Sequence, residues 1–273
     1  RKNAAADVEL IVGDIRNAAV VERAVRGVDA VVHLAAQTGV IPSIENPRLG
    51  CDLNVGGTLN LLMASRDHDV ESFVFPSSGA TLGEQSLPLT EEKTPRPQST
   101  YGASKLAGEA YCQAFHGAFG LGAVALRFSN VYGPYSFKKG SVVAAFFRAA
   151  FAGRPLIIYG DGSQTRDYIH TDDICQAILK ASSGAFGGEV FQIATERETS
   201  IEDLATSVKT LFENELGRPL EIVKKPRRQG EVLRNTSDIS KARTLLDFAP
   251  KVELDRGLEE TLAWFRAIKE TGP

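Results

Sequence analysis

Little in the 273 residues is of the kind that staples a chain or carries it through a membrane. The three cysteines, Cys51, Cys112 and Cys175, are widely spaced and odd in number, which argues against a disulfide framework or a thiolate metal cage and for a reducing compartment. No stretch approaches the roughly 18 uninterrupted apolar residues of a membrane helix, and Arg1-Lys2-Asn3 leads into Ala and Asp rather than an apolar secretory core. The expectation is a soluble, cytoplasmic protein with no membrane partner. Because the chain does not open on Met, a natural N-terminus is expected to have been cut away or left out.

A surplus of positive charge is also missing. Thirty-one Lys and Arg stand against 34 Asp and Glu, a net charge of -3, so nothing offsets a phosphate backbone and nucleic acid is not expected as a main partner. His33, His68, His116 and His170 lack metal-ligand spacing and read as structural, with no metal expected. Glu259-Glu260 reads as a solvated helix face, and Asp172-Asp173 as a complement to the positive end of a helix. Internal repeats, low-complexity tracts and long linkers are absent from the sequence.

What is present is ordinary globular material, 43% hydrophobic and 24% charged, at a length that suits one large α/β domain or two unequal ones. Short β-branched runs alternate with helical periodicity. Glu9-Leu10-Ile11-Val12 reads as a strand, 18–26 as a helix, 30–34 as a strand, 55–66 as a helix and 72–75 as a strand. A helix from Tyr101 to about Phe119, a strand at 123–128, a helix at 172–181 and a strand at 189–193 continue the rhythm of a doubly wound, Rossmann-type parallel sheet. A helix at 142–152, a strand at 155–159, the turn Gly160-Asp161-Gly162 and amphipathic helices at 201–216 and 254–269 suggest a smaller α/β domain assembled from two stretches. Doubly wound sheets bind ligands beyond the carboxyl ends of their strands, which singles out Gly13-Asp14-Ile15, Leu34-Ala35-Ala36-Gln37 and Ser77-Ser78-Gly79.

Tyr101-Gly102-Ala103-Ser104-Lys105 carries the sharpest chemistry. Residues four apart share a helix face, and a cation beside a phenol favours the ionised form, so Lys105 makes Tyr101 a usable general base.

With these strings in place the chain resembles the extended short-chain dehydrogenase/reductases, and within them the NAD-dependent epimerase/dehydratase group, most like its UDP-glucose 4-epimerases. Gly13-Asp14-Ile15-Arg16 looks like the adenine-contacting turn of that family. Leu34-Ala35-Ala36 is similar to its dinucleotide-lining strand end, and Asn54-Val55-Gly56-Gly57-Thr58 to its Asn-x-x-Gly-Thr helix start. Ser77-Ser78 fits the catalytic hydroxyl, with Ser78 favoured over Ser77, and Tyr101 with Lys105 fits the catalytic pair. The most specific strings are Leu126-Arg127-Phe128-Ser129-Asn130-Val131-Tyr132-Gly133-Pro134 and the run from Gly160 to His170.

The resemblance implies NAD as cofactor, with Asp14, Ile15, Leu34, Ala35, Ala36, Asn54, Tyr101, Lys105, Phe128 and Val131 on it. It implies a nucleotide-sugar substrate, UDP-linked, held by Ser78, Asn130, Arg166, Arg228 and Glu231. Residues 1–133 and 168–198 would form the NAD-binding domain and 134–167 with 199–273 the sugar-nucleotide domain. A homodimer is implied through the two helices that carry Leu59, Leu62 and Met63, and Tyr111, Phe115 and Phe119.

Two departures stand out. The strand, Gly-x-x-Gly-x-x-Gly loop, helix and acidic second strand with which the family opens are not among these residues, so the 273 residues by themselves are expected to bind NAD poorly. Ser77-Ser78-Gly79-Ala80-Thr81-Leu82-Gly83 also lacks the Tyr that relatives place before the last Gly. Dehydratases add an acid pair after the catalytic hydroxyl, and decarboxylases usually have a Glu nearby. Gly79 and Ala80 stand in those places here, which favours epimerisation over both. A catalytically silent dinucleotide-binding protein is the rival from another class, and the retained Tyr101 and Lys105 weigh against it.

Overall fold

The computed structural model describes residues 8–217, 219–227 and 232–271. In chain order the elements are α1 (Ala18–Val25), β1 (Ala30–Val32), α2 (Val40–Glu45), α3 (Pro47–Cys51), α4 (Gly57–Asp67), β2 (Ser72–Ser78), α5 (Thr100–Phe119), β3 (Gly122–Phe128), β4 (Asn130–Tyr132) and α6 (Val142–Phe151). There follow β5 (Leu156–Tyr159), β6 (Thr165–Arg166), β7 (Tyr168–His170), α7 (Thr171–Ala181), β8 (Val190–Ile193), β9 (Thr199–Ser200), α8 (Ile201–Leu216), β10 (Ile222–Lys225), α9 (Ser240–Leu245) and α10 (Leu254–Thr271). A four-stranded sheet takes the order β1-β2-β3-β8, and β1 runs parallel to β2 with Ala30 opposite Ser72 and Val32 opposite Val74. The expected alternation of strand and helix is therefore present.

Two compact units divide the chain. The first comprises Arg1–Pro76, Ser99–Ala125 and Ser182–Glu189. Its α5 begins where Ser99 accepts the Gly102 N–H at 3.0 Å and stops at Gly120, whose φ of 74° is left-handed and open to glycine at little cost. Mid-helix, Gly108 lets α5 press onto the sheet, since a Cβ there would fall 2.2 Å from the Phe75 ring. That contact fixes the helix at the level of Lys105. Residues 9–12, expected as the first strand, form no regular element. Val12 is 84% exposed, and a run without a ladder partner among the described residues has nothing to hold it extended.

The second unit comprises Ser77–Gln98, Leu126–Ala181 and Val190–Pro273. Its core is aromatic: Phe147 on α6 meets Phe212 of α8 edge-on at 5.1 Å and Phe265 of α10 at 5.3 Å. Such pairs contribute about 0.5 to 1.5 kcal/mol each beyond the area they bury. Three two-stranded pairs frame this core: β5 with β10 and β4 with β7, both parallel, and β6 with β9, antiparallel. Gly160-Asp161-Gly162 is a turn, as expected, in which Asp161 Oδ1 accepts the Ser163 N–H and hydroxyl at 2.9 and 2.7 Å.

Candidate functional site

In the first unit, Leu34, Ala35, Ala36, Asn54, Tyr101 and Lys105, expected around a dinucleotide, lie on segments that follow β1, and Asp14 and Ile15 lie on a turn before α1. Leu34 and Ala35 are exposed past its carboxyl end, with Ala36 half-buried behind them. Asn54 lies in a wide turn between α3 and α4, is buried, and spends its amide on protein. Its Nδ2 donates to the Gln37 carbonyl at 3.0 Å and to Ser104 Oγ at 2.9 Å, while its Oδ1 accepts the Gln37 N–H at 2.8 Å. Ser104 Oγ in turn donates to the Tyr101 carbonyl at 2.8 Å. The loop after β1 and the helix bearing Tyr101 are thus joined by one buried network.

The backbone at Tyr101 is further held by α2. Ser43 Oγ accepts the Tyr101 N–H at 3.1 Å, and the Thr100 hydroxyl donates to the Ser43 carbonyl at 2.6 Å. One turn on, Lys105 is buried, with Nζ donating to the Pro76 carbonyl at 2.7 Å and lying 4.8 Å from the Phe75 ring centre. Burial pulls its pKa from 10.5 down to about 8, a fall that the Glu109 carboxylate only partly opposes. The ammonium keeps two further hydrogens to donate.

Behind it His33 is buried, and its pKa falls to about 4, first by desolvation and then by the Lys105 charge. Thr58 Oγ1 gives its hydrogen to the Asn54 carbonyl at 2.6 Å, so the 2.9 Å contact between Thr58 Oγ1 and His33 Nε2 requires the proton on Nε2. The imidazole is neutral and structural, as its sequence position suggests.

Asp14 and Ile15 lie on an exposed turn pinned from two sides. Asn60 Nδ2 donates to the Ile15 carbonyl at 3.0 Å, and Gly57 leaves room for the Ile15 side chain, which a Cβ would meet at 2.4 Å. The Arg16 guanidinium bonds the Asp14 carboxylate at 2.6 to 3.1 Å and holds its pKa down to about 2. The apolar strand end, the spare Lys105 hydrogens and the fixed Asp14 turn suit a dinucleotide.

In the second unit, Ser78 Oγ accepts the Ala80 N–H at 3.2 Å and caps the single turn Gly79–Thr81, while the Thr81 hydroxyl donates to the Ser78 carbonyl at 3.0 Å. Ser77 is buried and Ser78 half-exposed. The segment 232–236 passes both this turn and β6. Leu233 accepts the Thr165 N–H at 2.9 Å, and the Asn235 amide stands 3.7 Å from where a Gly79 Cβ would be. Arg166, next to Thr165, is thereby brought to the same strip of chain as Ser78; its guanidinium donates to the Thr165 carbonyl at 2.7 Å. Arg228 and Glu231, expected on the substrate, lie outside the described residues.

Asn130 is placed by Asp167, which no local spacing in the run from Gly160 to His170 marks out. The Asp167 carbonyl accepts Ser129 Oγ at 2.6 Å and the Asn130 N–H at 2.9 Å. Its wholly buried carboxylate accepts the Thr195 N–H and hydroxyl at 2.9 and 2.7 Å and the Thr236 hydroxyl at 3.4 Å. Burial raises its pKa against the pull of those bonds. Val131 forms part of β4, and its carbonyl accepts from Lys139 Nζ at 2.9 Å, another residue not foreseen. Phe128, half-buried, ends β3.

A parallel α/β sheet with a Tyr-x-x-x-Lys helix and a seryl turn after its strands defines a dinucleotide-dependent enzyme of the doubly wound class. The NAD dependent epimerase/dehydratase family model matches residues 1–194, and the chain belongs to that family. It is 36% identical over 268 residues to a putative UDP-glucose 4-epimerase of Methanocaldococcus jannaschii, covering 96% of this chain and 86% of that one. It is 33% identical over 256 residues to a dTDP-glucose 4,6-dehydratase of Streptomyces niveus, covering 93% and 75%.

Among solved structures it resembles the UDP-glucose 4-epimerase of Thermotoga maritima with UDP-glucose, at a TM-score of 0.88 and 34% identity over 94% of this chain and 84% of that one. The UDP-glucose 4-epimerase of Thermus thermophilus in complex with NAD matches at 0.88 and 32% identity over 97% and 87%. Among the described residues no helix is long and apolar enough to cross a membrane.

Proposed function

We propose that the protein is an NAD-dependent nucleotide-sugar 4-epimerase acting on a UDP-hexose. NAD, when bound, supplies the hydride acceptor and donor. Tyr101 takes the proton of the sugar 4-hydroxyl and returns it, Lys105 holds the phenol toward its ionised form and donates to the cofactor ribose, and Ser78 hydrogen-bonds the reacting oxygen. Asp14, Ile15, Leu34, Ala35, Ala36, Asn54, Phe128 and Val131 frame the dinucleotide, Asn54 through the network it anchors. Asn130, Arg166, Arg228 and Glu231 hold the nucleotide sugar, the arginines by paired charge-assisted bonds to diphosphate oxygens. Residues 1–133 with 168–198 serve the cofactor, and 134–167 with 199–273 serve the substrate.

The observation that carries the choice of epimerisation is the turn after Ser78. Eliminating water from the sugar needs a proton donor beside the 4-keto intermediate. The turn offers Gly79 and Ala80, with the neutral Asn235 amide as the neighbour of Gly79. A keto sugar formed there meets no acid in the turn itself, which favours reduction from the other face. Full natural polypeptide incubated with NAD and UDP-glucose is the test: proton NMR should show UDP-galactose accumulating to an equilibrium mixture. A 4-keto-6-deoxy product would assign a dehydratase, and failure to turn over UDP-glucose, UDP-N-acetylglucosamine and UDP-glucuronate with NAD bound would assign a silent protein.

The same reading takes the protein as a cytoplasmic homodimer. The thiols of Cys51, Cys112 and Cys175 are free, in keeping with a reducing compartment. On α4 and α5, Met63, Tyr111 and Phe119 are exposed at 42%, 37% and 53%, while Leu62 and Phe115 belong to the unit's own core. Light scattering at micromolar concentration should return twice the chain mass, and a monomer mass removes the dimer.

A further inference from the structure

His170 ends β7 with its imidazole wholly buried, yet Nε2 has no hydrogen-bond partner. A buried polar atom without a partner is costly, so such an atom points to a missing one. The facing group is Glu260 of α10, whose Oε2 stands 3.9 Å away, beyond hydrogen-bonding reach. Space beside Nε2 is kept open by Gly133: a Cβ there would fall 3.1 Å from Nε2 and 2.3 Å from Thr171 Oγ1.

At the other ring nitrogen, Asp172 presents its N–H to Nδ1 at 3.3 Å and its Oδ2 at 3.8 Å. The ligand atoms of His170, Asp172 and Glu260 all lie within 4.8 Å of one another. Arg256, on the outer oxygen of Glu260 at 2.9 Å, is a cation at the edge of the cluster.

We infer that His170 and Glu260, backed by Asp172, form a binding site for a divalent first-row metal ion of the zinc type. The donors are an imidazole nitrogen and carboxylates, the set such ions take, and an ion about 2.0 to 2.2 Å from each of Nε2 and Oε2 spans the 3.9 Å gap in a bent bridge. Binding moves the imidazole proton from Nε2 to Nδ1, which gives up the 3.3 Å contact from the Asp172 N–H and takes Asp172 Oδ2 as acceptor once that exposed side chain turns in from 3.8 Å; the ring stays neutral and no proton is lost. Asp172 thus orients the imidazole from its Nδ1 edge with Oδ2 close to Glu260, Thr171 Oγ1 lines the opening, and water completes the coordination. The ion ties α10 to the β7–α7 junction, all within the second unit, and the site stands or falls independently of the nucleotide-sugar reading.

The test uses full polypeptide stripped with EDTA, with Cys51 and Cys175 alkylated so that thiolates do not compete, and ZnCl2 added in a calorimeter. Wild type should take up one saturable equivalent and show a raised melting temperature with zinc. Glu260→Gln, at a partly exposed position whose metal-free melting temperature reports intact folding, should bind at least about tenfold more weakly, and Asp172→Asn about 10- to 100-fold more weakly. His170→Gln should abolish uptake, and if it does not fold the other two variants decide. The absence of saturable uptake by wild type, or wild-type affinity in Glu260→Gln, overturns the site.

Discussion

Asn54 Nδ2 donates to Ser104 Oγ at 2.9 Å across 50 positions of sequence, and through that bond the loop after β1 and the helix of Tyr101 share one buried amide. Asn54→Ala leaves the Gln37 backbone groups without this partner and opens a hole beneath α5. A loss of about 2 to 3 kcal/mol in unfolding free energy is expected, read by urea titration. Asn54→Asp keeps the acceptor for the Gln37 N–H but sets a buried carboxylate against the Gln37 carbonyl, so it should lose at least as much.

The pKa of His33 gives the protein an acid limit. A histidine held neutral, from 6.5 down to about 4, leaves the unfolded chain binding more protons throughout that window, so stability drops as pH falls from 6.5 to 4. Relative to His33→Gln, which can still donate to Thr58, wild type should lose about 3 kcal/mol across the window. Parallel stability curves for the two proteins would contradict the assignment.

Lys105 acts at the other end of the scale. Its folded pKa of about 8 lies below the ordinary 10.5, so the cost of burying the ammonium is fully present below pH 8 and disappears as pH rises toward 10.5. Relative to Lys105→Met, wild type should gain about 3 kcal/mol between pH 7 and pH 10.5, measured by denaturant titration at both pH values. The same variant should have little turnover at any pH.

Arg166→Ala and Arg228→Ala should weaken UDP-hexose binding about 10- to 150-fold each while kcat stays within a few-fold. The diphosphate charge is the same in ground and transition states, so its partners contribute uniform binding. The double variant should lose less than the sum of the two, because both act on one diphosphate. Solvated surface arginines would instead shift KM by less than about 0.5 kcal/mol.

Much of this fold is legible in the residue pattern because its main helices and strands are long and their apolar period is unbroken. The helix at 100–119 and the strand at 122–128 stand within a residue or so of where the periodicity puts them. The strand expected at 9–12 does not form, since β-branched composition signals an extended run only where a neighbouring strand completes the ladder. Short elements such as β6 and β9, two residues each, exist through pairing and leave no periodicity to read.

At the site, Tyr101 and Lys105 are legible because a fixed spacing on one helix needs no tertiary knowledge. Asp167 and Gln37 are not, because their roles come from partners far along the chain: Thr195 and Thr236 for the one, Asn54 for the other. His170 reads as a plain core histidine until Glu260, 90 positions on, is found facing its unpaired nitrogen.

Tyr101 is the base of the proposed reaction, and one substitution tests it most directly. Tyr101→Phe keeps the ring and removes the phenolic oxygen, so UDP-hexose binding by the full natural polypeptide should be unchanged. Its kcat for interconverting UDP-glucose and UDP-galactose should fall about 100- to 10,000-fold, the usual cost of losing a general base. Turnover within a few-fold of wild type would contradict the mechanism.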